Sequence, residues 1–121
     1  MRVMDKAKPL LVDGDMSETL ISEVLPLLQV YGFSIQAIYT GSALTGKLSL
    51  EGSVNHVQDN LGNVTTEGTW KQIANTEVTL SGAGNYIWNI PDAMYPYVRV
   101  KYVTAALDSG ELQVFAWVRS F

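Results

Sequence analysis

No cysteine occurs in the 121 residues, which excludes a disulfide framework, thiol chemistry and cysteine-ligated metal centres. Histidine occurs once, as His56. No His-rich metal site or nucleophilic triad can be assembled around it, and no Gly-x-Ser-x-Gly elbow accompanies the serines, so it reads as an exposed loop histidine rather than a catalytic base. Charge is scarce as well. Asp, Glu, Lys and Arg make up 17% of the chain, against ~25% in an average domain. Twelve acidic against eight basic residues leave a net charge of −4, which argues against a grip on phosphate backbones, since that relies on clustered Lys and Arg. A nucleic-acid partner is therefore not expected. Nor is a membrane partner, because no run approaches the ~20 apolar residues needed to cross a bilayer. The opening Met1-Arg-Val-Met-Asp-Lys-Ala-Lys-Pro9 is followed by no apolar stretch of signal-peptide length, so synthesis in a cytoplasm is expected.

What the sequence does contain is strand-like alternation punctuated by Gly, Asn, Asp and Pro, with no helical period sustained over three turns. The pattern predicts one all-β domain over 1–121, a two-sheet antiparallel sandwich of the jelly-roll kind with about eight strands, an immunoglobulin-like sandwich being the alternative. Residues 1–12 form an N-terminal arm and first strand, and 53–69 form an inserted loop or hairpin. Phe33, Ile35, Ala37 and Tyr39 share one face of a strand, as do Leu48 and Leu50 of the next, and Val98, Val100 and Tyr102 of a later one. The stretch Thr19–Leu25 reads as strand rather than helix because Pro26 disfavours a helical residue before it. Ser81-Gly-Ala-Gly84 is compatible with a tight reversal between Glu77–Leu80 and Tyr86–Ile90. Leu48, Leu50, Val98, Val100, Leu112 and Val114 are the expected core.

The last stretch, Glu111 to Phe121, is the most informative. Leu112, Val114, Ala116 and Val118 alternate as one apolar face, while Phe115, Trp117 and Phe121 load the other with aromatics. A strand apolar on both sides needs two covers, and the second is expected to be a partner, with a ligand or an adjacent loop of the same chain as the alternatives. Trp70 and Trp88 read as core residues. Asp13-Gly-Asp15 lacks the further oxygen ligands of a calcium loop and reads as a turn leaving the first strand. Gly82-Ala-Gly84 has no following helix to make it a phosphate cradle. Asn63-Val-Thr65 matches a glycosylation sequon by chance in a polar loop. That loop is rich in Asn and Gly and poor in large apolar residues. It is expected to project from one end of the sandwich and to meet a partner through Asn55, His56, Asn60 and Asn63.

Phe33-Ser-Ile-Gln-Ala-Ile-Tyr-Thr-Gly41, Thr45-Gly-Lys-Leu-Ser-Leu-Glu-Gly-Ser53, Trp70-Lys-Gln-Ile73, Ser81-Gly-Ala-Gly84, Trp88 and Tyr97-Val-Arg-Val-Lys-Tyr102 together resemble a group of small β-sandwich proteins encoded by tailed bacteriophages. Asp13-Gly-Asp-Met-Ser17 fits the same pattern, so the resemblance runs from Asp13 to the end. Its motifs are mostly strand and turn punctuation. Residues 54–69 stand where the group has a short loop, which sets any shared loop function aside. The resemblance implies an accessory virion protein, of head decoration or cement type or a small tail or neck component, with no catalytic residues and no cofactor. Expected partners are the major capsid protein or another virion protein, together with further copies of the chain in a small homo-oligomer such as a trimer. A carbohydrate-binding module using exposed Trp or Tyr on host glycans is the alternative.

Overall fold

The computed structural model describes residues 2–3, 8–27, 30–41, 43–59, 61–91 and 95–120, with the backbone alone for 2–3, 8, 30–31 and 119–120. Thirteen strands are present among them: β1 (Arg2–Val3), β2 (Lys8–Asp15), β3 (Leu20–Ile21), β4 (Leu25–Pro26), β5 (Val30–Thr40), β6 (Lys47–Ser53), β7 (Val57–Gln58), β8 (Val64–Thr66), β9 (Lys71–Gln72), β10 (Val78–Thr79), β11 (Gly84–Ile90), β12 (Tyr97–Val103) and β13 (Glu111–Ser120). All pairings are antiparallel. In the first sheet β13 and β5 are central, β11 flanks β5, and β1 and β2 share the far side of β13. In the second, β12 and β6 are central, β3 and β4 lie beside β12, and β9 and β10 lie beside β6.

Two of these pairs are single strands interrupted by an irregularity, β3 with β4 and β9 with β10, while β1 and β2 share one edge position beside β13. Counted so, two four-stranded sheets remain, plus the small β7–β8 hairpin, and the chain passes back and forth between the sheets as a jelly roll does. The interruptions are repaired by side chains. Ser22, between β3 and β4, donates its amide to the Val100 carbonyl at 2.9 Å and accepts the Val100 amide on its hydroxyl at 2.8 Å. Thr76, between β9 and β10, accepts the Leu50 amide on its hydroxyl at 3.1 Å, while the Ile73 amide takes the Leu50 carbonyl at 2.8 Å. No central-strand polar group at these points is left without a partner, which a buried ladder requires.

Alternation places the core where the sequence predicts it. Leu48, Leu50, Val98, Leu112 and Val114 are 0% exposed and Val100 is 1% exposed. Phe33, Ile35, Ala37 and Trp88 from the first sheet meet them together with Tyr102 from the second. Thr19–Leu25 is extended as expected, entering β3 and β4.

Two local expectations are corrected. Ser81–Gly84 is not a hairpin turn, because β10 pairs with β6 while β11 pairs with β5, so this segment carries the chain from one sheet to the other. Asp13-Gly14 does not end the first strand either. Leu112 faces Gly14 but Val114 faces Leu11, so one extra residue is accommodated on β2 as a bulge, with Asp13 at φ 55°. The turn comes later, where the Asp15 carboxylate accepts the Ser17 amide and hydroxyl, both at 2.9 Å.

Candidate functional site

The two outer faces of the sandwich differ in chemistry. On the second sheet the outward rows pair Ser53 with Tyr97, Glu51 with Arg99 and Ser49 with Lys101. Arg99 donates from Nε to Glu51 Oε1 at 2.9 Å, and its guanidinium carbon lies 4.2 Å from the centroid of Trp70. This face is covered by the base of the 53–69 segment. The His56 ring packs against Trp70 and Tyr97, each at a centroid distance of 5.1 Å. His56 is 1% exposed, which overturns its reading as an exposed loop histidine. Its Nδ1 accepts the Gly68 amide at 3.2 Å and its Nε2 lies 3.0 Å from Gln58 Oε1, so the neutral ring protonated at Nε2 satisfies both contacts. Trp70 is likewise not a core residue. It is half-buried, sandwiched between His56 and Arg99, with its indole N–H directed at Glu67 Oε1 at 3.3 Å.

The asparagines of this segment largely serve the segment itself. Asn55 Oδ1 accepts the Thr69 amide at 2.8 Å and the Ser53 hydroxyl at 3.0 Å. Asn63 donates its amide and its Nδ2 to the Asp59 carboxylate, at 2.8 and 3.1 Å, and these bonds from Asn63 hold that carboxyl below its ordinary range. Asn60 lies outside the described residues. The segment does form a hairpin, with Val57 paired to Thr66 and Gln58 to Val64, and its tip is exposed, Leu61 at 86%. Between the hairpin and β4 runs a groove of about 580 Å³ lined by residues that include Glu23, Pro26, Asp59, Val64 and Tyr97.

Base and tip are therefore expected to respond differently to mutation. Trimming 59–63 to a two-residue turn should move the melting temperature by no more than about 2 °C, the scale of a change at an exposed surface. His56→Ala should cost on the order of 2 kcal/mol, because it strands the part-buried Gly68 amide and opens a gap beneath Trp70 and Tyr97. Thermal unfolding of the two variants checks both.

The outer face of the first sheet is neutral across its middle. Its cross-strand rows are Gln113 with Ile38 and Asn85, Phe115 with Gln36 and Ile87, and Trp117 with Ser34 and Asn89. No charged residue stands in these rows, where apolar groups alternate with amides and a hydroxyl. Ile87 is 54% and Trp117 37% exposed, Phe115 is half-buried, and Phe121 lies outside the described residues. Beside Trp117 a shallow hollow of about 270 Å³ is lined by Gly32, Phe33, Ser34, Asn89, Ile90 and Pro91, with the Ser34 hydroxyl donating to Asn89 Oδ1 at 2.9 Å.

The doubly apolar pattern of the last strand pointed to Phe115 and Trp117. The contributions of Ile38 and Ile87 were not legible, because they lie in strands that read as ordinary and become neighbours only through the β13–β5–β11 order. Comparison of the chain with protein-family models, with curated proteins and with solved structures finds no match.

Proposed function

We propose that the chain is a structural virion protein of a tailed bacteriophage, a decoration or cement protein that binds the major capsid protein or another virion protein through the outer face of β13, β5 and β11. The observation that carries this reading is the uncharged face itself. In a chain with 12 acidic and 8 basic residues, the middle rows of β13, β5 and β11 carry none of them, and depletion of charge around aromatic groups marks the centre of protein interfaces. The phage-protein resemblance supplies the class of partner. A face of this kind acts by burying area, and several copies on one particle would act together through avidity. The reading assigns no catalysis, and both ring nitrogens of the sole histidine are occupied in holding the hairpin base.

Trp117→Ala tests it. The variant is expected to stay folded, since the indole lies on the outward side of β13, and to lose binding to capsids of the encoding phage by about 30-fold or more, the equivalent of ~2 kcal/mol for a central aromatic. Unchanged capsid binding by a folded variant would remove the proposal.

One observation favours a second reading. Trp117 beside the Ser34–Asn89 pair at a shallow hollow combines an apolar ring with hydrogen-bonding groups, the chemistry that holds a sugar ring. A glycan array separates the two: binding there that Trp117→Ala abolishes, with no capsid binding by the parent chain, would make this a carbohydrate-binding module.

A further inference from the structure

The sandwich has four sheet edges, and three are blunted. The β1/β2 edge is bulged and includes Pro9. The β3/β4 edge is broken at Ser22 and ends in Pro26. The β9/β10 edge consists of two strands of two residues each. Such irregularity is how sheets avoid pairing with other chains. β11 differs. It runs for seven residues, Gly84-Asn-Tyr-Ile-Trp-Asn-Ile90, in unbroken register with β5, and holds no charge and no proline. Among the described residues, no strand pairs with its other side.

The sequence of this edge is also symmetric in kind. Around Ile87 the order is Asn85, Tyr86, Ile87, Trp88, Asn89. If a second copy lay antiparallel with the two-fold axis at Ile87, Asn85 would face Asn89 of the other copy, Tyr86 would face Trp88, and Ile87 would face Ile87. Amide meets amide, aromatic meets aromatic and aliphatic meets aliphatic, matched cross-strand pairs that the two-fold relation presents twice over, since residue i meets j and j meets i. Either phase of the hydrogen-bond ladder accepts an axis at this residue, since both the narrow and the wide antiparallel pair are two-fold symmetric. Tyr86 and Ile87 are 40% and 54% exposed, which leaves them surface to bury.

We infer that β11 is a self-pairing edge, and that two copies of this chain join antiparallel through it, making one continuous sheet across the dimer. The contact is two-fold, so a trimer cannot be built from it alone. The contact is made by the backbone edge of β11, and because Asn85, Ile87 and Asn89 also stand in the outer-face rows, it is tested by oligomeric state rather than by capsid binding.

Sedimentation at tens of micromolar should show a species of twice the 13.3 kDa chain mass, and Ile87→Lys, which sets like charges opposite one another, should reduce it to the monomer. The absence of native cysteine permits a test of register. Ile87→Cys brings two thiols together at the axis, where facing Cβ atoms lie about 4.5–5.5 Å apart, and should form an intermolecular disulfide under mild oxidation. Asn85→Cys puts its own copies about 14 Å apart, four residues along the strand, and should not. A parent chain that is monomeric, a dimer unaffected by Ile87→Lys, or equal cross-linking by the two cysteine variants would overturn the inference. If Ile87→Lys fails to fold, the cysteine pair decides.

Discussion

Leu112→Ala is expected to destabilise the fold by about 2–5 kcal/mol, a large part of the roughly 5–15 kcal/mol that holds a domain of this size together. Leu112 is 0% exposed and sits on the central strand β13, with Tyr39 of β5 on one side and Gly14 of β2 on the other. The second neighbour limits relaxation. A Cβ built on Gly14 would lie 2.8 Å from Leu20 Cδ1 and 3.3 Å from the Leu112 carbonyl, so the backbone is already packed closely there and has little slack with which to close a cavity. Chemical denaturation should show a lower midpoint with an unchanged slope. A loss below about 1 kcal/mol would show that the site collapses around the smaller side chain.

Asp108→Asn should cost about 3 kcal/mol although it changes the side chain by a single group, because every neighbour of this carboxylate is a donor and buried donors left unpaired cost ~1–3 kcal/mol each. Asp108 is 5% exposed. Its Oδ1 accepts the Thr45 amide at 2.8 Å, and its Oδ2 accepts the Gly46 amide at 2.9 Å, the Ala105 amide at 3.3 Å and the Tyr102 hydroxyl. An asparagine must turn its NH2 toward one of these sets, donor against donor. The arrangement ties the loop after β12 to the turn before β6, and Gly46 has no room to retreat, since a Cβ there would lie 2.6 Å from Asp108 Oδ2 and 2.5 Å from the Val103 carbonyl.

Stability should follow pH accordingly. Burial by itself would raise the Asp108 carboxyl, but the hydrogen bonds from Tyr102, Thr45, Ala105 and Gly46 outweigh it and hold it below its ordinary 3.8. The folded state therefore binds this proton less readily than the unfolded chain. The contribution is complete above the unfolded value and is lost as pH falls through the folded one. Tyr102 has the opposite sense. Burial first, and then the neighbouring Asp108, push its hydroxyl up to about 12. Its contribution is complete below about pH 10 and is lost as pH climbs towards about 12. Unfolding followed at both extremes should show Asp108→Asn with a flatter acid limb than the parent, and an equal acid limb would deny Asp108 this role.

Composition and period-two alternation determined the all-β class, the sandwich and the core rows. A strand with one buried face must repeat its apolar groups every second residue, and Leu48/Leu50, Val98/Val100 and Leu112/Val114 do so without reference to any partner strand. The same reasoning marked Phe115 and Trp117, because their strand already has an apolar face opposite them. The tertiary structure decided what depends on residues far apart in the chain. Ser81–Gly84 looks locally like a reversal, yet its flanking strands find separate partners, β6 and β5, and so lie in different sheets. His56 sits in a polar stretch and is buried all the same, because Tyr97 and Trp70 close over it from 41 and 14 positions away. Asp108 reads as an ordinary loop residue until Thr45 and Gly46, 63 and 62 positions earlier, deliver their amides to it. Local periodicity reports which side of a strand meets the core. Which strands become neighbours is decided by long-range pairing, and that placed the neutral rows, the buried His56 at the hairpin base and the open β11 edge.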